Sequence, residues 1–334
     1  MTDLTGPCYQ RRQLIAMGLA GASALWTGHL FAASDAPLIT KAIPATGQRL
    51  PVIGVGGRDF GDSPLTDIRA VLQRLVELGG SIIDTAASYG DSEQAIGQIV
   101  SDLGIRSKVF LATKLVGGSE RPAGSGRGAT RSSRPPGFGA QVHGEESFNR
   151  SLERLKTDYV DLLQVHNLSG VDTLWPLLTQ WKQAGKIRYI GMTTSSPDDH
   201  TRMLELMRQF PVDFIEVDYS IGDRDAAQKV FALATERKIA VMADVPLGAA
   251  GRGGFRLSDV MRKPLPSFAA GLGARDWPQL MLKYVISHPA VTCTVAGATK
   301  LNHLQDDQEV ARGVLLDAAM RKRIEEYWDM VVAT

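Results

Sequence analysis

Short apolar runs and segments of helical periodicity alternate along most of the chain. Apolar, partly β-branched runs predict strands near residues 52–55, 81–85, 109–113, 159–165, 189–192, 214–217, 239–243 and 292–295. Apolar residues at helical spacing predict helices over residues 65–78, 92–103, 145–155, 171–184, 198–210, 226–237 and 277–287. This alternation predicts an α/β fold, a (β/α)8 TIM barrel that forms a single domain over residues 37–334.

The residues before the second predicted strand refine this prediction. Two short apolar runs around residues 45–47 predict an N-terminal β-hairpin. A doubly wound sheet is the alternative fold, but residues 54–59 (GVGGRD) carry Asp59 where a G-x-G-x-x-G motif needs its third glycine. The barrel is therefore the favoured architecture.

The first 36 residues have the three parts of an export signal. Arg11 and Arg12 precede a weakly apolar, Ala- and Gly-rich segment over residues 16–31, and small residues follow at 32–36. The paired arginines predict a twin-arginine (Tat) signal peptide over residues 1–36, the Tat translocon as export partner, and a periplasmic protein. An amphipathic or disordered tail and an uncleaved anchor are the alternatives. Because Gly, Ser, Thr and His interrupt the apolar segment, no stable membrane insertion is expected.

Residues 117–144 break the alternating pattern. They are rich in Gly, Ser, Pro and Arg, show no periodicity, and are longer than ordinary barrel loops. The segment is either a mobile lid over the active face or a disordered insertion, and its composition favours disorder in the free protein.

Charge and cysteine content exclude several classes of function. With 37 basic and 36 acidic residues, the formal net charge of +1 gives no reason to expect nucleic acid as a partner. The two cysteines, Cys8 and Cys293, cannot make a disulfide framework, and neither has the spacing of a zinc ligand. We predict no metal site.

Four polar residues fall at or just after the ends of predicted strands. Barrel enzymes carry their catalytic groups there, and Asp84, Lys114 and His166 end the second, third and fourth strands, with Tyr89 just past the second. Taken singly, a lysine at such a position is usually solvated and a histidine is often only hydrogen-bonded. Together the four residues form a candidate catalytic set.

The chemistry expected of this set is proton donation to a carbonyl oxygen. A buried Asp84 needs a cation, and Lys114 could supply it. The ammonium of Lys114 would also lower the pKa of Tyr89 from its usual value of about 10. His166, as a hydrogen-bond donor, could hold the substrate oxygen beside the tyrosine hydroxyl.

These residues lie in motifs through which the chain resembles the aldo-keto reductases. The similarity extends from about residue 38 to residue 310. The matching stretches, in the order of the family, are IDTA (83–86) with YG (89–90) and Glu93, ATK (112–114), DYVDLLQVH (158–166), GKIRYIG (185–191), DYS (218–220), PLG (246–248) and AGATK (296–300).

The resemblance implies hydride transfer from NADPH to an aldehyde or ketone, with Tyr89 as general acid supported by Lys114, Asp84 and His166. NAD(H) is the alternative cofactor, and a small carbonyl compound is the expected partner. Phe60 and Asn167 would line the substrate pocket. The resemblance also implies a set of cofactor residues, namely Thr193, Thr194 and Glu216 at the nicotinamide carboxamide, Tyr219 at the nicotinamide ring, Pro246, Leu247, Gly248 and Gly253 at the pyrophosphate, and Gly297, Ala298, Thr299, Lys300, His303 and Asp307 at the adenosine end.

Two of these positions depart from the family pattern. Glu216 stands where a glutamine is usual, and a carboxylate can accept from an amide NH2 but cannot donate to the amide oxygen. Asp307 stands where an asparagine is usual. Two other functions remain open, a dinucleotide-binding accessory or sensor protein of the same fold, and a phosphate-binding barrel lyase or isomerase.

Overall fold

A closed barrel of eight parallel strands forms the centre of the molecule in the computed structural model, which describes residues 36–115, 139–248 and 255–331. The barrel strands, in chain order and each paired with the next, are β3 (Ile53–Gly56), β4 (Ile82–Asp84), β5 (Phe110–Leu115), β6 (Val160–Val165), β7 (Ile187–Thr194), β8 (Phe214–Asp218), β9 (Ala240–Asp244) and β10 (Val291–Gly297). Strand β10 pairs with β3 and closes the ring. The predicted (β/α)8 fold is confirmed, and the doubly wound alternative is excluded.

The predicted hairpin is present and covers the N-terminal end of the barrel. Strands β1 (Thr40–Ala42) and β2 (Arg49–Pro51) pair antiparallel. Ile43, which follows β1, and Leu50 of β2 pack on the apolar layer of the barrel interior near the hairpin. Lys41 donates hydrogen bonds of 2.7 to 2.8 Å to three backbone carbonyls that precede or begin β10. The hairpin thus closes one end and leaves the other end for chemistry.

Helices pack around the strands. They are α1 (Leu65–Glu77), α2 (Ser92–Asp102), α3 (Gly139–Leu155), α4 (Val171–Gln183), α5 (His200–Gln209), α6 (Asp225–Lys229), α7 (Phe231–Glu236), α8 (Leu257–Val260), α9 (Trp277–Ile286), α10 (Leu301–Val310) and α11 (Ala318–Val331). Their apolar faces form most of the larger hydrophobic core.

Side chains inside the barrel change from apolar to polar along the strands. Inward positions alternate with outward ones. Phe110 and Phe214 belong to the apolar layer near the hairpin. Farther along the same faces stand Lys114, four residues after Phe110, and Glu216, two residues after Phe214. The C-terminal half of the barrel therefore encloses charged groups, which need partners because burial removes their hydration.

The structure differs from the predicted helices in several places. The helix expected over residues 226–237 is divided into α6 and α7 at Val230, whose backbone (φ −100°, ψ −39°) departs from regular helical geometry. Helices α8, α10 and α11 are not among the predicted ones. In α11 only Ile324 and Trp328 are buried, so its apolar stripe is narrow, and α10 buries the polar Asp307 and Gln308.

Helix α2 begins at Ser92, as predicted, but its N-cap residue Asp91 makes no side-chain capping hydrogen bond. Ser92 Oγ instead donates to the backbone oxygen of Gly57 at 2.6 Å and bonds to Thr85 at 2.8 Å. The hydroxyl therefore ties two barrel loops together.

Two predicted segments lie largely outside the described residues. They are the export signal over residues 1–36 and most of the insertion over residues 117–144. Helix α3 begins at Gly139, so the last residues of the predicted insertion are helical. Over the described ranges, no helix combines the length and hydrophobicity that a bilayer crossing requires.

Candidate active site

The four predicted catalytic residues meet at the C-terminal end of the barrel. Lys114 Nζ donates to Asp84 Oδ2 and, at 3.1 Å, to the backbone oxygen of Thr85. It also lies 3.3 Å from Glu216 Oε2. The side chains of Lys114, Asp84 and Glu216 are all buried. The predicted Asp84–Lys114 ion pair is confirmed, and Glu216 is a second acid on the same ammonium.

Tyr89 and His166 lie at the open side of this ion pair. Lys114 Nζ is 5.5 Å from the centroid of the Tyr89 ring. The Tyr89 and His166 rings are 5.6 Å apart at an interplanar angle of 80°. A hydroxyl, an imidazole and an ammonium therefore converge on one small region, as proton transfer to a bound carbonyl requires.

The loop that carries Tyr89 is held by backbone hydrogen bonds to the neighbouring strand. Thr85 N donates to Ala112 O at 3.0 Å, and Ala87 N donates to Lys114 O at 3.1 Å. These bonds continue the β4–β5 pairing past the end of β4, so the loop follows the strand that bears Lys114. Tyr89 is thereby placed beside the lysine rather than in solvent.

The segment after His166 has an unusual backbone. Asn167 and Leu168 have φ values of 52° and 53°, in the left-handed region that few non-glycine residues adopt. Ser88 Oγ lies 3.3 Å from His166 Nδ1. Exposed Asn167 follows His166 at the barrel mouth, a position compatible with its predicted place in the substrate pocket. Strain of this kind clusters at functional sites.

The electrostatics of Tyr89 differ from the expectation. Burial raises the pKa of Tyr89 above its usual value, and the ammonium of Lys114 only partly offsets this effect. The predicted lowering of the Tyr89 pKa is therefore wrong for the ligand-free protein, because desolvation of the phenolate outweighs the nearby charge. Tyr89 is protonated at neutral pH.

The other groups of the set have well-defined charge states. Burial by itself would lower the pKa of Lys114, but the charge of Asp84, and that of Glu216 when it is ionised, raise it well above its usual range. Burial, with the charges of Lys114 and Arg58, lowers the pKa of His166 to about 4. Lys114 is thus a permanent cation, and His166 is a neutral imidazole that can donate one hydrogen bond.

The three residues predicted at the nicotinamide carboxamide have different surroundings. Thr193 pairs in register with Glu216 across β7 and β8, and its hydroxyl has no hydrogen-bond partner among the described residues. Thr194 Oγ1, in contrast, donates to Asp199 Oδ2 at 2.9 Å. Thr193 and Glu216 are therefore the better placed pair for a ligand.

Two predicted site residues belong to the hydrophobic core. Tyr219 is fully buried, and its hydroxyl contacts the Tyr284 hydroxyl at 3.1 Å and Arg321 Nη2 at 2.9 Å. Phe60 is 1 % exposed and lies in the main core. Both side chains are therefore packed in the core of the ligand-free protein, and their places at the cofactor and the substrate stay predictions.

The predicted pyrophosphate residues follow β9. Pro246 is buried, Leu247 packs partly on the core, and Gly248 has a φ of 78°. The ring of Phe255 fills the space next to Gly248, where a Cβ would come within 2.3 Å of it. Gly253 lies outside the described residues.

The predicted adenosine residues surround the start of α10. Gly297, Lys300 and His303 are exposed, Thr299 is half-buried, and Ala298 is buried. Asp307 is buried, and its burial, with the charges of Asp306 and Asp276, raises its pKa to about 8. Asp307 is therefore protonated near neutral pH and can donate a hydrogen bond, as the amide of an asparagine can.

Three residues near the site were not predicted. Gln164 Nε2 donates to Glu216 Oε2. Asp244 ends β9 and is close enough to raise the pKa of Asp84 and Tyr89, while exposed Arg58 lowers the pKa of His166. The signal for Gln164 was its position two residues before His166 on the same face of β6. Asp244 could have been found as the polar residue that ends a barrel strand.

The described residues offer few alternatives to this site. They contain no group of three or more side chains that could hold a metal ion. A cavity of about 440 Å³ lies elsewhere, between the segment before α9 and the segment after α10, and its lining includes Leu272, Lys283 and Leu316. None of the four catalytic candidates borders it. The chemistry is therefore assigned to the barrel mouth.

Comparisons with known proteins agree with the fold. Residues 52–329 match the model of the aldo/keto reductase family. Aldo-keto reductase yakc [NADP(+)] of Schizosaccharomyces pombe is 29% identical over 60% of this chain, and the match spans 58% of that relative. Methylglyoxal reductase YeaE of Escherichia coli is 28% identical over 81% of this chain and 89% of its own length.

A solved structure shares the architecture. The aldo-keto reductase AKR11C1 from Bacillus halodurans, in its holo form, superposes with a TM-score of 0.69 at 25% identity and covers 87% of this chain and 96% of its own. The family match covers most of the chain and includes all four converging residues. The chain therefore belongs to the aldo/keto reductase family and is an oxidoreductase.

Proposed function

We propose that the protein reduces the carbonyl group of an aldehyde or ketone with NADPH, and that Tyr89 is the general acid. The observation that carries the proposal is the convergence of Tyr89, Lys114 and His166 at the open end of the barrel. The set can deliver a proton and hold an oxygen, while a nicotinamide cofactor supplies the hydride when it is bound.

Each of the four residues at the barrel mouth has a separate role in the proposed reaction. Tyr89 gives its hydroxyl proton to the carbonyl oxygen, and the ammonium of Lys114 stabilises the phenolate that remains. Asp84 holds Lys114 charged and in place. His166, a neutral imidazole, donates a hydrogen bond that holds the carbonyl oxygen beside Tyr89. If Ser88 donates to Nδ1, the donor facing the substrate is Nε2–H.

The residues present suit a nicotinamide dinucleotide. Thr193 and Glu216 are paired in register across β7 and β8, and each has a polar atom without a hydrogen-bond partner among the described residues. The exposed Gly297 and Lys300 precede α10, and helix N-termini favour phosphate. NADPH is proposed over NADH because one relative is named for NADP(+) and because Lys300 and His303 can meet a 2′-phosphate. Comparable rates with NADPH and NADH would contradict the preference for NADPH but not the proposed reaction.

A turnover assay tests the proposed function. Purified protein is mixed with NADPH and a panel of carbonyl compounds that includes methylglyoxal, suggested by the name of one relative, and uncharged aromatic aldehydes. We expect NADPH oxidation that depends on the carbonyl compound. Binding of NADPH without oxidation by any aldehyde would favour the accessory or sensor function instead. Absence of any effect on NADPH fluorescence would favour a barrel lyase or isomerase.

We also propose that the protein is exported to the periplasm through the Tat translocon. The support is the Arg11-Arg12 pair before a weakly apolar segment. Because this route carries folded proteins, the enzyme would leave the cytoplasm with its dinucleotide bound. Changing both arginines to lysine should retain the protein in the cytoplasm on cell fractionation. Unchanged export of the variant would refute the route, and exported wild-type protein that is folded but free of dinucleotide would refute the loading step.

A further inference from the structure

The charges around Lys114 do not balance. Its ammonium faces two carboxyl groups, Asp84 and Glu216, whose side chains are 4% and 2% exposed. A third acid, Asp244, is close enough to raise the pKa of both. With both buried carboxyl groups ionised, the cluster would carry an uncompensated negative charge away from water, which is strongly unfavourable. At least one carboxyl group must therefore hold a proton.

The geometry indicates which carboxyl group is neutral. Lys114 Nζ is in direct hydrogen-bond contact with Asp84 Oδ2, whereas its distance to Glu216 Oε2 is 3.3 Å. The ammonium therefore stabilises the charge of Asp84 more strongly. Burial, and next the charge of Asp84, raise the pKa of Glu216 to about 8, while burial raises that of Asp84 to about 6. Glu216 is the site of the proton.

The hydrogen bonds of Glu216 indicate which oxygen carries it. Oε2 faces two donors, Gln164 Nε2 and Lys114 Nζ. Oε1 has no hydrogen-bond partner among the described residues. An oxygen that already accepts from two donors is a poor place for a proton. The proton therefore belongs on Oε1, on the strand face that Glu216 shares with Thr193.

We propose that Glu216 is a neutral carboxylic acid in the resting protein, and that its Oε1–H donates a hydrogen bond to the oxygen of a primary carboxamide beside Thr193. The carboxamide is that of the nicotinamide ring, so this part rests on the proposed function. A neutral acid restores the donor that a carboxylate lacks and that the glutamine usual at this position would supply. The donor is lost when Glu216 ionises, which weakens cofactor binding at alkaline pH.

Several other groups can influence this proton. The titratable, charged and polar side chains that face or surround Glu216 come from six other strands and one loop. They are Asp84, Tyr89, Lys114, Gln164, Thr193, Asp244 and Cys293. Lys114 and Tyr89 keep their protons through the range in which Glu216 titrates, because their pKa values are raised. Burial likewise raises the pKa of the Cys293 thiol. Asp84 ionises at lower pH than Glu216. The alkaline transition is therefore assigned to Glu216.

Infrared spectroscopy tests the protonation state without any ligand. Because Asp307 is also protonated near neutral pH, the measurement is made in protein that carries Asp307→Asn. We expect this protein at about pH 7 to show a protonated-carboxyl C=O band that is absent when Glu216→Gln is added. Glu93→Gln is the matched control, because Glu93 is a buried glutamate whose charge is balanced by Arg154 at 2.7 Å, and adding this change should leave the band intact. In the Asp307→Asn protein the band should disappear as the pH rises through about 8. A band that survives the addition of Glu216→Gln, or the absence of such a titration in the Asp307→Asn protein, would overturn the proposal.

The pH dependence of NADPH binding tests whether ionisation of Glu216 weakens cofactor binding. From about pH 7 to about pH 9.5 the 2′-phosphate of NADPH stays ionised, so its own titration does not interfere. Asp307→Asn is kept in both proteins, because ionisation of Asp307 at the adenosine end would also change cofactor binding over this range. We expect the Kd of Asp307→Asn for NADPH, measured by fluorescence, to rise roughly tenfold, and that of the protein with Glu216→Gln added to stay level. Parallel curves for the two proteins would refute the role of Oε1–H. If neither protein binds NADPH, the proposed function fails, and the infrared result decides the state of Glu216 by itself.

Discussion

Tyr89→Phe should abolish nearly all carbonyl reduction while leaving NADPH affinity close to that of the wild type. The variant keeps the ring, which lies 5.5 Å from Lys114 Nζ and 5.6 Å from the His166 ring. It loses only the hydroxyl that donates the proton, and positioned general acids contribute roughly 100- to 10,000-fold. We expect kcat to fall by at least about 100-fold, with little change in the Kd for NADPH.

Tyr159→Phe is the matched control for this experiment. Tyr159 precedes β6 at the opposite end of the barrel, where its ring stacks on Arg106 at 3.9 Å. Removing its hydroxyl should change neither kcat nor cofactor binding. Substantial turnover by Tyr89→Phe would assign proton donation to another group, and an equal loss in both variants would point to a general effect on folding.

Lys114→Met should inactivate the enzyme and destabilise it. The change leaves Asp84 and Glu216 buried without their cation, and breaking a buried ion pair costs about 3–5 kcal/mol. Turnover should fall because nothing then stabilises the phenolate form of Tyr89. Urea unfolding followed by circular dichroism measures the free energy of unfolding, and the aldehyde assay measures turnover.

The destabilisation should depend on pH in a definite direction. In the wild type the pKa values of Asp84 and Glu216 are raised to about 6 and about 8, so the folded state holds protons that the unfolded state releases. Their contribution to stability is therefore present at low pH and is lost as pH rises through these values. Without Lys114 both pKa values rise further. Relative to the wild type, Lys114→Met should thus lose little free energy of unfolding near pH 5 and much more near pH 8.

Lys182→Met provides the comparison for an ion pair at the surface. Lys182 and Asp213 are 38% and 17% exposed, and Asp213 also accepts from Ile190 N at 2.8 Å. Loss of this lysine should cost no more than about 1 kcal/mol. Adding Asp84→Asn to Lys114→Met should recover part of the lost stability but no activity. If Lys114→Met loses the same free energy of unfolding at pH 5 and at pH 8, the loss does not come from the buried charges of Asp84 and Glu216.

The strand-and-helix pattern by itself determined the barrel and three of its candidate catalytic positions. Apolar runs end where a strand emerges from the core, and parallel strands bring all these ends to one face. Asp84, Lys114 and His166 could therefore be placed together without coordinates. The ion pair between Asp84 and Lys114 could also be predicted, because a buried carboxylate requires a cation.

The assignment of individual side chains to core or site required the tertiary structure. Tyr219 and Phe60 follow barrel strands, as site residues do, yet both are buried in the core. Sequence position near a strand end does not specify the direction of a side chain in an irregular loop. Thr193 and Thr194 are likewise adjacent, but the hydroxyl of Thr194 is already bonded to Asp199.

Charge states depended even more on packing in three dimensions. The sequence indicated that Lys114 would lower the pKa of Tyr89, but burial of the ring reverses the net shift. The sequence also indicated an ionised Glu216 at a position where a glutamine is usual. In the structure, Glu216 and Asp84 both lie against the ammonium of Lys114. Desolvation and charge balance are sums over all neighbours in space. Residue types and their order identified the reactive groups, and only the closed barrel decided which of them hold protons.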